Sequence, residues 1–280
     1  MRKPIMAIMY DFDKTLCTTD MQNYGFIPAL GMTPEEFWKK TQDFSNGTGV
    51  ERILSYMYMM IKLGKEKNLP MTKKWFNKLG ENIEYYPGVL TWFDRINKYG
   101  EKNGVKIEHY IVSSGTKEII EGTKIAKYFK KIYGCEFYFG PGAEGTPLWP
   151  KLAINYTQKT QYFFRISKGV INQRDDNRLN DVQEKKRIPP ENIVYLGDGM
   201  TDIPCMVLVK QNGGKSIAIF NDDGKSINRA KLAKRVNYAC KADYSSDSEL
   251  EKTVKLIIDH ISVEHSLKEK EEKLRKLTLK

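Results

Sequence analysis

Four runs of apolar residues along the chain have the pattern of buried β-strands, and each ends beside polar or small residues. These runs are Ile5–Tyr10, Ile107–Val112, Ile193–Leu196 and Ser216–Phe220. Between them, apolar residues recur at the spacing of amphipathic helices. Alternating strands and helices predict an α/β fold in which helices cover both faces of a doubly wound parallel sheet.

A longer segment between the first two strands interrupts this alternation. Its apolar residues, among them Val50, Met57 and Ile61, fall on helical faces, so we predict a helical insert. Residues 172–187 are charged and poor in apolar side chains, which predicts a surface loop, and the last residues have mixed charge, which predicts a solvated helix. The predicted division is a catalytic core of residues 1–16 and 87–262, a helical cap of residues 17–86, and a charged tail of residues 263–280.

Composition narrows the class of protein. The chain has 280 residues, of which 40% are hydrophobic and 29% charged, and no apolar run approaches the roughly 20 residues of a membrane span. We therefore expect a cytoplasmic protein without membrane contact. The net charge of +11 could attract nucleic acid or anionic metabolites. The lysines are spread along the whole chain, so we favour a general lysine-rich composition over a nucleic-acid interface.

Carboxylates follow two of the predicted strands directly. Asp11 and Asp13 come after the first strand, and Asp198 and Asp202 come after the third, among glycines. Carboxyl ends of parallel strands meet at one edge of a sheet, where such folds bind their ligands. Like charges gathered there favour a hard divalent cation such as Mg²⁺. Each motif alone has an alternative, a helix-capping turn for the first and an ordinary Asp-Gly turn for the second.

Two weaker signals accompany the carboxylates. Ser113 and Ser114 end the second predicted strand, although Ser-Gly turns are common in all proteins. Lys159 begins a helical pattern, and Lys151 and Lys168 are its rivals as a candidate site lysine.

Taken in order, these signals resemble the motifs of the haloacid dehalogenase superfamily of aspartate-nucleophile hydrolases. Its first motif, a hydrophobic strand followed by D-x-D-x-T, matches Asp11, Asp13 and Thr15. Its second motif matches Ser113, its third is a lysine placed at Lys159, and its fourth, G-D-x-x-x-D, matches Asp198 and Asp202. The branch that the chain is most similar to is phosphoserine phosphatase-like, with a helical cap between the first and second motifs on a Rossmann-like core.

The resemblance implies a Mg²⁺-dependent phosphatase that acts through an aspartyl-phosphate. Asp11 would be the nucleophile and Asp13 the general acid and base, while Ser113 and Lys159 would hold the phosphoryl oxygens. Mg²⁺ would bind the Asp11 side chain, the Asp13 backbone carbonyl and Asp198, with Asp202 as a ligand or a supporting residue.

We expect the substrate to be a small phosphorylated metabolite selected by the cap. Ser114, Lys14 and Asp20 are further candidate substrate contacts, Lys14 for a second anionic group and Asp20 for a cationic group such as an amine. The alternatives are that Lys14 is a solvated lysine in a turn and that Asp20 caps a surface helix. Two other functions stay open on the sequence: a phosphotransferase of the same fold, and a non-catalytic basic protein that binds nucleic acid.

Overall fold

The computed structural model describes residues 3–141, 145–183, 186–221 and 234–278. Within these ranges seven strands form one sheet in the order β4-β3-β2-β1-β5-β6-β7. All neighbouring strands are parallel except β3 and β4. The strands are β1 (Ile5–Tyr10), β2 (Lys106–Thr116), β3 (Phe129–Phe139), β4 (Pro147–Leu152), β5 (Ile193–Gly197), β6 (Lys215–Phe220) and β7 (Tyr238–Lys241).

The α-helices of the described residues fall into a group before β2 and a group around the sheet. The first group is α1 (Phe26–Ala29), α2 (Pro34–Thr48), α3 (Arg52–Glu66), α4 (Lys73–Leu79) and α5 (Val89–Lys102). The second is α6 (Lys117–Glu121), α7 (Tyr156–Lys168), α8 (Asp176–Asn180), α9 (Ile203–Gln211) and α10 (Glu249–Thr278). Helices cover both faces of the sheet, because α5 packs with α10 while α7 packs with α9. The predicted α/β fold with a smaller helical cap is confirmed.

The core of the sheet is apolar on both faces, and two polar side chains buried in it, Tyr10 and His109, are paired with each other. The β1 residues from Met6 to Tyr10 are fully buried. The Tyr10 hydroxyl accepts from Trp92 Nε1 at 2.9 Å and lies 3.0 Å from His109 Nδ1. A buried polar group without a partner costs free energy, so this chain of contacts lets Tyr10 and His109 sit in the core.

The helices α1 to α4 occupy the predicted cap, and the chain enters and leaves this region through paired backbone segments. The Thr18 amide donates to the Glu84 carbonyl at 3.1 Å, and the Tyr86 amide donates to the Leu16 carbonyl at 3.1 Å. The two connections therefore run side by side next to the end of β1. The boundaries of the cap as a separate domain stay a prediction.

Several local expectations differ from the structure. The apolar pattern through Leu90, Phe93 and Ile96 predicts a helix with Pro87 in its first turn, whereas α5 begins at Val89, after Gly88 in the left-handed conformation with φ +79°. A Cβ at Gly88 would lie 2.3 Å from the Tyr244 backbone. Residues 172–187, expected as a loop, contain the short helix α8. Three strands were not predicted, namely β3, β4 and β7. The expected helix in the tail is present as the end of α10, which begins earlier, at Glu249.

Candidate active site

Three adjacent strands bring the predicted motifs to one edge of the sheet. β1 lies between β2 and β5, so Asp11 and Asp198 follow neighbouring strands and Ser113 lies in the third. The Asp11 amide donates to the Leu196 carbonyl at 2.9 Å, which continues the pairing of β1 with β5 up to the first carboxylate. The ends of the strands therefore fix these side chains on a rigid frame.

Lys159 is the lysine that reaches this edge. Its side chain is fully buried, and Nζ lies 2.6 Å from Asp202 Oδ1 and 3.1 Å from Asp11 Oδ1. The rival lysines point elsewhere: Lys151 donates to Glu136 at 2.7 Å, and Lys168 donates to two backbone carbonyls beside α8. The structure thus places Lys159, among the three candidates, next to the predicted nucleophile.

Asp202 is held firmly by its surroundings. Besides Lys159, the Tyr195 hydroxyl donates to Oδ1 at 2.6 Å, and the Gly199 amide donates to Oδ2 at 2.8 Å. A Cβ on Gly197 would lie 2.6 Å from the Asp202 carboxyl carbon, so glycine is required for this close approach. Both oxygens of Asp202 already accept hydrogen bonds, so Asp202 is better suited to supporting a metal site than to being the main metal ligand.

Asp198 and Asp11 are less completely bonded. Asp198 Oδ1 accepts a hydrogen bond from Thr15 Oγ1 at 3.2 Å, whereas Asp11 Oδ1 has the ion pair with Lys159 at 3.1 Å and no further partner among the described residues. Burial raises the pKa of the Asp11 carboxyl, Asp202 raises it further and Lys159 opposes the rise. Burial likewise raises the pKa of Asp198, with Asp202 and Asp11 adding to it. One lysine does not neutralise this group of carboxylates.

The donor set fits a hard metal ion. Asp11, Asp198 and Asp202 each offer an oxygen, and these oxygens lie within 4.8 Å of one another. Carboxylate oxygens are preferred ligands of Mg²⁺, and Asp11 Oδ1, whose one side-chain partner among the described residues is Lys159, keeps an electron pair for such an ion. The Asp13 side chain lies outside this cluster, so its predicted part in metal binding, through the backbone carbonyl, stays a prediction.

Asp13 sits at the start of the turn into the cap. Its Oδ1 accepts from the Met21 amide at 2.8 Å, and Lys14 after it adopts φ +54°, the left-handed conformation that is uncommon outside glycine. Burial raises the pKa of Asp13 well above the ordinary range of an aspartate, and the charges of Asp20 and Asp11 add to this. A carboxyl that favours its protonated form can act as a general acid.

Lys14 and Asp20, both predicted as substrate contacts, are bonded to each other. Lys14 Nζ lies 2.9 Å from Asp20 Oδ1 and 2.7 Å from Oδ2. Burial alone would lower the pKa of Lys14, but Asp20 outweighs it and raises that pKa. Both residues line the cavity at the active edge, and each has much of its charge already compensated.

Ser113 and Ser114 lie where β2 departs from regular pairing with β3. Ser113 is buried, and its Oγ accepts from the Gly115 amide at 3.0 Å. The Ser114 carbonyl accepts from the hydroxyl of Tyr56, on cap helix α3, at 2.7 Å. A hydrogen bond from the cap therefore holds the turn that carries the predicted phosphoryl contact.

A cavity of about 370 Å³ opens over these residues between the sheet edge and the cap. Residues of the cap that the sequence analysis did not select line its outer part: Gln22, Trp38, Thr41, Arg52 and Tyr56. The apolar pattern of α2 and α3 predicts which face of each helix is packed. It does not predict which polar residues of these helices border a cavity. Arg52 is an exposed cation without an ion pair among the described residues.

Comparison with known proteins agrees with this geometry. The model of the haloacid dehalogenase-like hydrolase family matches residues 8–207, and the chain belongs to this family. An uncharacterized protein of Borreliella burgdorferi is 28% identical over 278 residues, covering 89% of this chain and 95% of its own. The predicted family is therefore confirmed, and with it a hydrolase.

Solved structures share the fold. A haloacid dehalogenase family hydrolase of Salmonella enterica serovar Typhi superposes with a TM-score of 0.57 at 18% identity, over 89% of this chain and 73% of that one. A probable phosphoserine phosphatase of Vibrio cholerae gives 0.57 at 13% identity, over 94% and 67% of the two chains. A phosphoserine phosphatase with an analogue of its phospho-aspartyl intermediate gives 0.52 at 16%, over 91% and 99%. Among the described residues, no helix is both long and apolar enough to cross a membrane.

Proposed function

We propose that the protein is a Mg²⁺-dependent phosphatase that hydrolyses a small phosphomonoester through an aspartyl-phosphate on Asp11. The observation that carries the proposal is the position of the Asp11 carboxylate. It follows the central strand β1 and borders the cavity, and its Oδ1 forms an ion pair with the buried Lys159 amine at 3.1 Å. That oxygen has no other partner among the described residues, which leaves it an available electron pair. A nucleophile needs such an available electron pair in a fixed direction.

The side chains of Asp11 and Asp198 and the Asp13 carbonyl would hold Mg²⁺, with Asp202 supporting them. When bound, the ion would supply positive charge that offsets the repulsion between the carboxylates and the dianionic phosphate. Ser113 and Lys159 would hold the phosphoryl oxygens, a role that suits a buried serine and a buried amine beside the nucleophile.

The reaction would have two steps. In the first, an Asp11 oxygen attacks phosphorus, the bond from phosphorus to the ester oxygen breaks, and Asp13 gives its proton to the leaving alcohol. In the second, Asp13 takes a proton from water, the resulting hydroxide attacks phosphorus, and the bond to Asp11 breaks to release inorganic phosphate. The raised pKa of Asp13 supports the first of its two roles.

The cap would restrict the substrate to small molecules. Cap residues form much of the cavity wall, and the cavity of about 370 Å³ is at the small end of the range for ligand sites. Closing the site in this way would exclude bulk water while Asp11 carries the phosphoryl group.

A panel of small phosphomonoesters, assayed for phosphate release with Mg²⁺ and with excess EDTA, tests the proposal. We expect release from at least one ester, loss of activity in EDTA and recovery when Mg²⁺ is restored. Full activity in EDTA would contradict the metal, and inactivity on every small ester would contradict the substrate class. Adding an alcohol as an alternative acceptor distinguishes hydrolysis from phosphoryl transfer, because transfer consumes ester without releasing phosphate.

A further inference from the structure

Three polar side chains that line the cavity carry atoms without hydrogen-bond partners among the described residues. These atoms are Gln22 Oε1, Thr41 Oγ1 and Ser114 Oγ. Gln22 is 2% exposed and Thr41 is 6% exposed, so bulk water reaches neither side chain freely. An unsatisfied buried polar atom costs about 1–3 kcal/mol, and a native protein keeps one where something else satisfies it.

The chemistry of these atoms selects the kind of ligand group that fits. The Gln22 amide nitrogen donates to Thr116 Oγ1 at 3.5 Å, which leaves the carbonyl oxygen as the free end. That oxygen can only accept, so its partner on the ligand must be a donor. The hydroxyls of Thr41 and Ser114 can both donate and accept. A ligand hydroxyl group, which also does both, matches all three atoms.

An ammonium group fits this region less well. Asp20 is the only carboxylate that residues 17–86 contribute to the described lining of the cavity, and Lys14 already contacts both of its oxygens. A second cation there would have to displace Lys14 or share the carboxylate with it. The expectation that Asp20 meets an amine therefore has less support from this geometry than neutral hydroxyl recognition has.

We propose that the alcohol part of the substrate carries hydroxyl groups, as in a short polyol phosphate or sugar phosphate, and that Gln22 and Thr41 select it. This inference rests on the proposed phosphatase activity and specifies its substrate class. A ligand hydroxyl donates to Gln22 Oε1, and a ligand hydroxyl pairs with Thr41 Oγ1. An alcohol without hydroxyls leaves both protein atoms unpaired, so it is discriminated against in the transition state.

Three esters of similar size test the inference on the wild-type protein: glycerol 1-phosphate, n-propyl phosphate and phosphoethanolamine. We expect kcat/KM for glycerol 1-phosphate to exceed that for each of the others by about tenfold or more, the effect of roughly 1.4 kcal/mol. Equal values for glycerol and propyl phosphates, or a preference for phosphoethanolamine, would overturn the inference. If none of these or other small phosphomonoesters is hydrolysed, the proposed function itself fails and the inference falls with it.

Variants then assign the preference to residues. Thr41→Val keeps the shape of the side chain, and Gln22→Met keeps its length, while each removes the free polar atom. We expect each to lower the glycerol-to-propyl ratio of kcat/KM by about fivefold, the effect of one hydrogen bond worth about 1 kcal/mol. Thr48→Val, at an exposed position of the same helix outside the cavity lining, is the matched control and should leave the ratio unchanged. An unchanged ratio in folded Thr41→Val would overturn the role of Thr41. An unchanged ratio in folded Gln22→Met would likewise overturn the role of Gln22.

Discussion

Lys159 offers the sharpest test of how the site is held together. Its amine is fully buried between Asp202 at 2.6 Å and Asp11 at 3.1 Å. Substitution Lys159→Met keeps most of the volume but leaves two buried carboxylates without their cation. Breaking a buried ion pair by removing one partner costs about 3–5 kcal/mol. We expect a loss of about 3 kcal/mol, because Asp202 keeps its bonds to Tyr195 and Gly199.

Stability is measured by urea unfolding in metal-free buffer, monitored by circular dichroism, and phosphatase activity is measured separately with Mg²⁺ present. Lys151→Met is the matched control, since the Lys151 side chain is 51% exposed and its partner Glu136 keeps a second ion pair, with Lys117 at 2.8 Å. We expect Lys159→Met to lose both stability and activity, and Lys151→Met to keep both. A Lys159→Met protein as stable as wild type, or a larger effect at Lys151, would refute the reasoning.

Three further predictions concern the metal ligands, the hydrogen bond from the cap and a buried carboxyl group. Asp198→Ala should raise the Mg²⁺ concentration for half-maximal activity more than Asp202→Ala, because only Asp198 has free bonding capacity; activation curves measure this. Tyr56→Phe should lower kcat/KM about fivefold in steady-state assays, because the turn at Ser114 loses one hydrogen bond from the cap, worth about 1 kcal/mol. The wild-type protein should lose stability as the pH rises, because burial raises the pKa of Glu118 to about 7, and Glu118→Gln should not show this loss.

The sign of the Glu118 effect follows from which state holds the proton. The folded protein keeps the carboxyl protonated up to higher pH than the unfolded chain, so stability falls as pH rises from the ordinary value of about 4.5 through about 7. Between about pH 5 and about pH 8 we expect wild type to lose about 2 kcal/mol more than Glu118→Gln in urea unfolding. Equal losses would contradict the buried, protonated Glu118.

Controls for these variants lie close in the chain. Glu121→Gln, on the same helix as Glu118, removes a carboxylate that is partly exposed and paired with Lys73. It should keep most of the pH dependence of wild type, because the charge of Glu121 raises the pKa of Glu118 less than burial does. Tyr58→Phe removes a hydroxyl from an exposed tyrosine of α3 and should not change kcat/KM. If Glu121→Gln had the effect of Glu118→Gln, the change would be assigned to general destabilisation of α6. If Tyr58→Phe had the effect of Tyr56→Phe, the change would be assigned to general destabilisation of α3.

The parts of the site built on buried strands could be predicted from the sequence. The run before Asp11 is apolar at every position because β1 is central and covered on both faces, and such a strand has a clear end. Asp198 follows β5 for the same reason. Lys159 is predicted from the start of a helical pattern together with the lysine motif of the family that the sequence resembles, and the structure places that residue against Asp11 and Asp202.

Two of the three missed strands, β4 and β7, lie at the edges of the sheet. β4 contains Pro147 and Pro150, residues that oppose a strand in a sheet interior and are tolerated at an edge. β7 is four residues long and mostly exposed, so it has no apolar run. The roles proposed for Gln22 and Thr41 depend on contacts between distant parts of the chain, which no local sequence pattern indicates.

Trapping the covalent intermediate tests the central claim most directly. The enzyme turning over a phosphomonoester with Mg²⁺ is quenched, treated with borohydride to reduce any aspartyl-phosphate, and digested for mass spectrometry of the peptide that contains residue 11. We predict reduction of the side chain at Asp11 in wild type, and no such product in Asp11→Asn, which should also lose turnover. Reduction at another residue, with Asp11 unmodified in an enzyme that turns over under the same conditions, would contradict the account.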